Sequence, residues 1–392
     1  MSSELQKTIV YVGGPDLDEA QANAIASDNG WGAAVVLGRR GYQVGWVSEV
    51  APVTSPDVAE VSARWQAAQG IVLPGFLSDG VRASSDDIKL AQALMERVLA
   101  GDEVADVLEG APYADRLQPK YELLSSTYDE GDDQEIQTLE FDVMDGEELL
   151  AEGLWVKASW LSYEDEDTSL RFRFSFGLVG YEDVAADYER QLYAAEVTEC
   201  VFPESAVISQ NEGLKQLLLE VLSADDLIYV ERIVYFNAPN GGAQMHQDVE
   251  RGHAGVVYLQ VSGSTLWFAL SKAELISEIQ AFMAQNIAQA ALARCQVSSD
   301  GWALLQDWVA DASTLSAMLD ERDNEPLDVL INQVPEFARQ LIEAGYASLL
   351  SAGDVMLLPQ QGIDHCAWHC VYCVGGESGE ALSFAIRGLN KV

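Results

Sequence analysis

Residues 231–248 read ERIVYFNAPNGGAQMHQD. The run Leu227–Phe236 has the β-branched and aromatic content of a strand, and Gly241-Gly242 permits a tight loop before His246-Gln247-Asp248. Side chains two apart on an extended segment share a face, so the His246 imidazole and the Asp248 carboxylate can point to one side. A second imidazole from a distant strand would complete two His and one carboxylate on one face of a metal. That set suits Fe(II) and leaves coordination positions open. The chain has four His, and besides His246 they are His253, His365 and His369. His253, in Glu250-Arg-Gly-His-Ala-Gly255, reads as a loop residue. The distal ligand is therefore His369 or His365, which have the same parity on an extended strand. His369 is favoured because it follows Trp368 and leads into a β-patterned run toward Arg387, while His365, soon after Asp354, also fits the mouth of a strand.

Working outward, Gly255–Val261 and Thr265–Leu270 read as strands. Ser271-Lys-Ala-Glu274 has capping-box form, and Leu275, Ile276, Ile279, Phe282, Met283 and Ile287 continue it as an amphipathic helix. Helical character is expected to about Leu350, broken at Pro326 and Pro335, before strands at Asp354–Leu358, Trp368–Val374 and Leu382–Arg387. Upstream, a helix is expected over Gly213–Leu222. Before it, Leu154–Leu161 and Leu170–Val179 flank the acidic turn Glu164–Asp167. There Leu170, Phe172, Phe174 and Phe176 alternate with Arg171, Arg173 and Ser175, predicting a hairpin with one packed and one wet face. Tyr128–Glu135 reads as a solvated loop. Nearer the N-terminus, Thr8–Val12, Ala33–Leu37, Gln43–Val47 and Ile71–Leu73 are strand-like, and Asp86–Ala100 is helical. The fold class is α+β in four regions: an N-terminal α+β region (1–118), an acidic β region with the first half of a β core (119–270), a helical insertion (271–350) and the closing strands (351–392). The simplest architecture is an antiparallel barrel or sandwich, with the apolar stripe of the insertion serving packing or homo-oligomer contact.

The 392 residues carry 22 Lys+Arg against 63 Asp+Glu, a net charge of −41, yet 48% are hydrophobic. This is a folding composition, and its charge excludes nucleic-acid binding through a broadly basic surface and a polybasic membrane anchor. No apolar run has spanning length, so cytoplasmic residence and no membrane partner are expected. More than half of the net charge falls in residues 119–270. That clustering predicts a docking face over 119–204 for a cationic substrate or partner. Cys366, Cys370 and Cys373 have the spacing of a radical S-adenosylmethionine cluster, but they stand too near the chain end for the barrel that should follow. A flat strand also points Cys373 away from the other two, so a single metal site is disfavoured and reduced core residues are expected.

Taken in order, ERIVYFNAPNGGAQMHQD, VVYLQVSGSTLWFAL (256–270), GDVMLLPQ (353–360) and WHCVYCVGGESGEALSFAIR (368–387) resemble the double-stranded β-helix (cupin/jelly-roll) core of the 2-oxoglutarate-dependent Fe(II) oxygenases, closest to the cupin-like and JmjC-like branch. The resemblance implies Fe(II) held by His246, Asp248 and His369 (or His365), 2-oxoglutarate as co-substrate, and O2. It implies Arg387 for the distal carboxylate of 2-oxoglutarate, with Tyr235 and Asn237 as further contacts. Thr265 stands at the co-substrate position where the JmjC-like branch carries Lys, so Arg387 must substitute for that anchor. Because Asp248 retains the carboxylate that related halogenases lack, hydroxylation or demethylation is implied rather than halogenation. The competing expectation is a non-catalytic or differently metallated cupin-type binding protein docking a cationic partner on its acidic face.

Overall fold

The computed structural model describes residues 8–51, 53–118, 120–130, 135–162, 167–176, 188–249, 253–321 and 324–390. Its strands are β1 (Ile9–Gly13), β2 (Val35–Arg39), β3 (Tyr42–Glu49), β4 (Ile71–Leu73), β5 (Tyr121–Glu130), β6 (Glu135–Asp145), β7 (Glu148–Ser162), β8 (Asp167–Phe176), β9 (Asp226–Asn237), β10 (Gly242–His246), β11 (Gly255–Gln260), β12 (Ser264–Ser271), β13 (Ala347–Ser351), β14 (Val355–Gly362), β15 (His365–Val374) and β16 (Gly379–Leu389). A small sheet has the order β1-β3-β2. The others form one large sheet in the order β13-β12-β15-β14-β11-β16-β9-β8-β7-β6-β5, with β10 on β15 and β4 on β14. The result is a mixed α/β chain built on a large antiparallel sheet, consistent with a jelly-roll or cupin-like fold.

The sheet turns a corner at β14. Val355–Pro359 pairs with β11, but only Gln360 and Gly362, at the end of the strand, pair with β15. The two halves then face one another: Val256, Tyr258, Met356, Leu358 and Ala381 share one core with Trp267, Leu350, Ala367 and Val371. Period-two alternation sends the intervening residues outward into two larger cores. On one side Phe141, Val156, Phe172, Phe236 and Phe384 pack with the helices Val58–Gln66, Ser85–Leu99 and Glu212–Leu222. On the other, Leu266, Phe268, Leu270, Cys370 and Tyr372 pack on the insertion through Ile279, Phe282 and Phe337. Each such side chain removed from water contributes about 1.5–3 kcal/mol before entropy is counted.

Phe172 sits in the first of these cores against Phe202, with ring centroids 5.2 Å apart, while Arg171 and Arg173 take the opposite face of β8, as the alternation predicts. The side chains of Phe174 and Phe176, residues 131–134 and 164–166, and Glu250 lie outside the described residues. Cys366 and Cys370 enter the insertion-facing core, whereas Cys373 has the opposite parity and lies near Tyr258.

Three expectations change. Tyr128–Glu135 is not simply a loop, because β5 and β6 remain paired to Glu130 opposite Glu135. Helix does not persist to Leu350. Pro335–Ala344 ends at Gly345, whose φ of 92° caps it in the left-handed region, and the chain then pairs with β12 as β13. Ile71–Leu73, expected within the N-terminal region, is β4 on the large sheet.

The capping box forms: Ser271 Oγ accepts from the Glu274 amide at 3.2 Å, and the Glu274 carboxylate accepts from the Ser271 amide at 2.8 Å. Ser271→Ala is expected to lower unfolding free energy by about 1 kcal/mol in urea titrations. No helix among the described residues is long and apolar enough to cross a membrane.

Candidate metal centre

The Gly-rich segment before His246, expected as a loop, is strand β10. Gly242 opposes Tyr372, Ala243 opposes Val371, and His246 opposes His369. Gln244 and Met245 thus face the single residue Cys370, a β-bulge that re-aims the strand. Gly242 is required there. Its φ is 132°, and a Cβ would come within 2.1 Å of the Val371 carbonyl oxygen. The bulge brings the two imidazoles together with ring centroids 4.3 Å apart, and Asp248 follows two residues later.

His246 Nε2 lies 3.4 Å from Asp248 Oδ1, and His369 Nε2 lies 3.3 Å from Asp248 Oδ2. One donor atom from each of the three falls within 4.8 Å of the others. Each ring turns its Nδ1 to a backbone carbonyl, Gln244 O at 2.7 Å for His246 and Ala367 O at 3.4 Å for His369. A carbonyl oxygen only accepts, so the neutral rings carry their proton on Nδ1 and present the Nε2 lone pair beside the carboxylate. His369 is also stacked on Trp267 at 5.4 Å, and Tyr258 meets the Trp267 ring edge-on at 4.6 Å.

Electrostatics match this arrangement. Burial pushes the Asp248 carboxyl up, but His369 and His246 outweigh it and hold it well below the usual carboxylate range. Burial, reinforced by the neighbouring His246, lowers His369 to about 4. For His246, burial lowers and Asp248 raises, with Asp248 prevailing. Two imidazoles, each with Nδ1 turned to a backbone carbonyl, and a carboxylate aimed at the same point are a donor set that fits a divalent transition metal.

Tyr235, Asn237, Tyr258, Trp267, Leu358 and Ser383 are among the residues that line the cavity around the three ligands. Of the sequence-derived set, His246, Asp248, His369, Tyr235 and Asn237 are therefore brought together. His365 is not: it lies exposed at the start of β15, opposite Gly362. Thr265 does not line the cavity either, because its hydroxyl donates to Gln260 Oε1 at 2.7 Å and accepts from Trp267 Nε1 at 2.9 Å. It belongs to a buried network in which Asn237 donates to Tyr258 and Tyr258 donates to Gln260. Arg387 has the parity of Ser383 on β16 but lies beyond the lining. Arg171 lies opposite Tyr235 across β8 and β9, is hydrogen-bonded to it, and has a buried Nε with no partner. Burial chiefly pushes the Tyr235 hydroxyl up to about 12, against the pull of Arg171. His253 is near enough to help hold Asp248 ionised.

Neither a protein-family profile nor a curated protein matches the sequence. Among solved structures, the chain is similar to an oxidoreductase of the 2OG-Fe(II) oxygenase family from Burkholderia pseudomallei, at 8% identity and a TM-score of 0.32, with 87% of this chain and 98% of that one covered.

Proposed function

We propose that the chain is an Fe(II)- and 2-oxoglutarate-dependent oxygenase of the cupin-like/JmjC-like superfamily, its facing sheet halves forming the double-stranded β-helix. The observation that carries this reading is the His246, Asp248 and His369 group, three donors converging from two paired strands and the loop that follows β10. Iron held by these residues would supply, with 2-oxoglutarate and O2, oxidation of an unreactive C–H bond, the co-substrate being converted to succinate and CO2.

The chain's own residues have separable tasks. His246, Asp248 and His369 would hold the metal, and all three also line the cavity. Tyr235, Asn237 and Ser383 offer hydrogen bonds to an acid bound there. Trp267 and Tyr258 wall the cavity. The distal carboxylate goes to Arg171 rather than Arg387, because the unsatisfied Arg171 Nε–H is beside Tyr235 and a guanidinium fork suits a carboxylate. The retained Asp248 carboxylate supports hydroxylation or demethylation of a small molecule or protein side chain.

The test is succinate formation from 2-oxoglutarate by anaerobically purified protein given Fe(II) and then air. Uncoupled turnover and a visible Fe(II)–2-oxoglutarate band are expected, and the lack of both would sink the reading. Arg171→Met is expected to weaken 2-oxoglutarate binding at least about tenfold, the loss of a charge-assisted contact, and Arg387→Met to change it little.

A further inference from the structure

The bulge that sets His246 opposite His369 takes Gln244 and Met245 out of one-to-one pairing with β15. Main-chain groups in it and at its edge are bonded from parts of the chain remote in sequence. Arg39 Nη1, at the end of β2, donates to the Ala243 carbonyl and, at 3.4 Å, to the Val371 carbonyl of β15. Asn332, on the insertion helix Glu325–Gln333, accepts the Met245 amide on its Oδ1 at 2.8 Å. The two residues are joined, because Arg39 Nη2 donates to the same Asn332 oxygen at 3.0 Å.

Both are buried, Arg39 at 4% exposure and Asn332 at 6%. The guanidinium also lies over the Tyr372 ring, 4.6 Å from its centroid, and touches the Cys370 thiol. Its partners among the described residues are thus carbonyl and amide oxygens, a thiol and a ring, with no carboxylate. Taking a cation out of water without a counter-charge is costly. That cost is met at the one place where β10 and β15, each carrying an imidazole of the metal group, must keep a fixed separation.

We propose that Arg39 and Asn332 are positioning residues for the metal centre, locking the β10 bulge and so setting the spacing of His246 and His369. The N-terminal hairpin and the helical insertion then share a task, since each contributes one half of the clamp. The proposal rests on the metal reading above, and the experiment separates the two.

Co(II) is titrated anaerobically into wild type, Asn332→Leu, Asn332→Asp and Arg39→Met, followed by visible absorption, with metal-free thermal melts alongside. Leu keeps the size of Asn332 but removes the acceptor, whereas Asp retains it. Asn332→Leu and Arg39→Met are expected to bind Co(II) roughly 10–100-fold more weakly, with a displaced band, the range found when outer-shell partners of metal ligands are removed. Asn332→Asp is expected to stay close to wild type. If Arg39→Met does not fold, the Leu and Asp variants at 332 decide. Lower melting of Asn332→Leu with unchanged Co(II) affinity and band would make the clamp merely structural and overturn the proposal. A wild type that binds no Co(II) would overturn the metal reading and the proposal with it, whereas equal binding by all variants overturns the proposal alone.

Discussion

His369→Ala is expected to remove measurable Fe(II) or Co(II) binding, while His365→Ala binds as wild type does. The two positions have equal parity, stand four residues apart and occupy the same strand, so the contrast isolates register. His369 is 3% exposed, stacked on Trp267, opposite His246 and 3.3 Å from Asp248. His365 is exposed beside the turn at Gly362. Deleting one of three ligands should cost more than the roughly 10–100-fold lost with an outer-shell partner. Isothermal titration under anaerobic conditions measures it, with thermal melts to show that both variants remain folded. Equal metal retention by the two variants would remove His369 from the site.

The same comparison shows where a sequence can and cannot be read. Local chemistry is legible. The alternation around Phe172, the Ser271–Glu274 cap and the i, i+2 relation of His246 to Asp248 each depend on a few neighbouring residues, and each stands in the structure. Pairing is different. His365 and His369 cannot be told apart by parity, and only the strand β10, opposite His369, separates them. That strand has poor intrinsic β character, with Gly241-Gly242 at its start, and exists because β15 offers it a ladder. Arg171 escapes notice for the same reason. It belongs to a hairpin outside the runs that suggested the core, and only the pairing of residue 171 with residue 235 brings it beside the cavity. Thr265 and Arg387 show the converse, since a position in a motif said nothing of whether a hydroxyl was already engaged or a strand had run past the cavity.

On the far face of β16 from the metal cavity, a second group of acids makes the other large prediction: Glu380→Gln is expected to stabilise the protein at pH 8, with a gain that shrinks on acidification. Glu380 and Glu204 are each 1% exposed, touch one another, and among the described residues have no other side-chain partner for any of their four carboxylate oxygens. Two buried carboxylates in contact cannot both be charged at a tolerable cost, so the pair holds a proton. Burial pushes Glu380 well up, and the adjacent Glu204 pushes it further. Burial also raises Glu204 against the hydrogen bond from Glu380, with Asp87 adding to the rise and Arg116 opposing it, and the nearby Tyr113 hydroxyl is raised in part by both carboxylates. In the unfolded chain both would titrate near the ordinary Glu value of about 4.3. The folded state therefore binds more protons above that pH, and linkage makes stability fall as pH rises. The pair's contribution is complete below about pH 4.3 and is lost as pH climbs through the raised folded-state values. Gln at 380 needs no proton and gives Glu204 an amide donor, which should recover about 1–3 kcal/mol, the scale of an unsatisfied buried polar group. Urea unfolding of both proteins from pH 5 to pH 8.5 measures the difference. A Glu380→Gln protein less stable than wild type at pH 8, or a difference that does not move with pH, would mean that no proton is shared there.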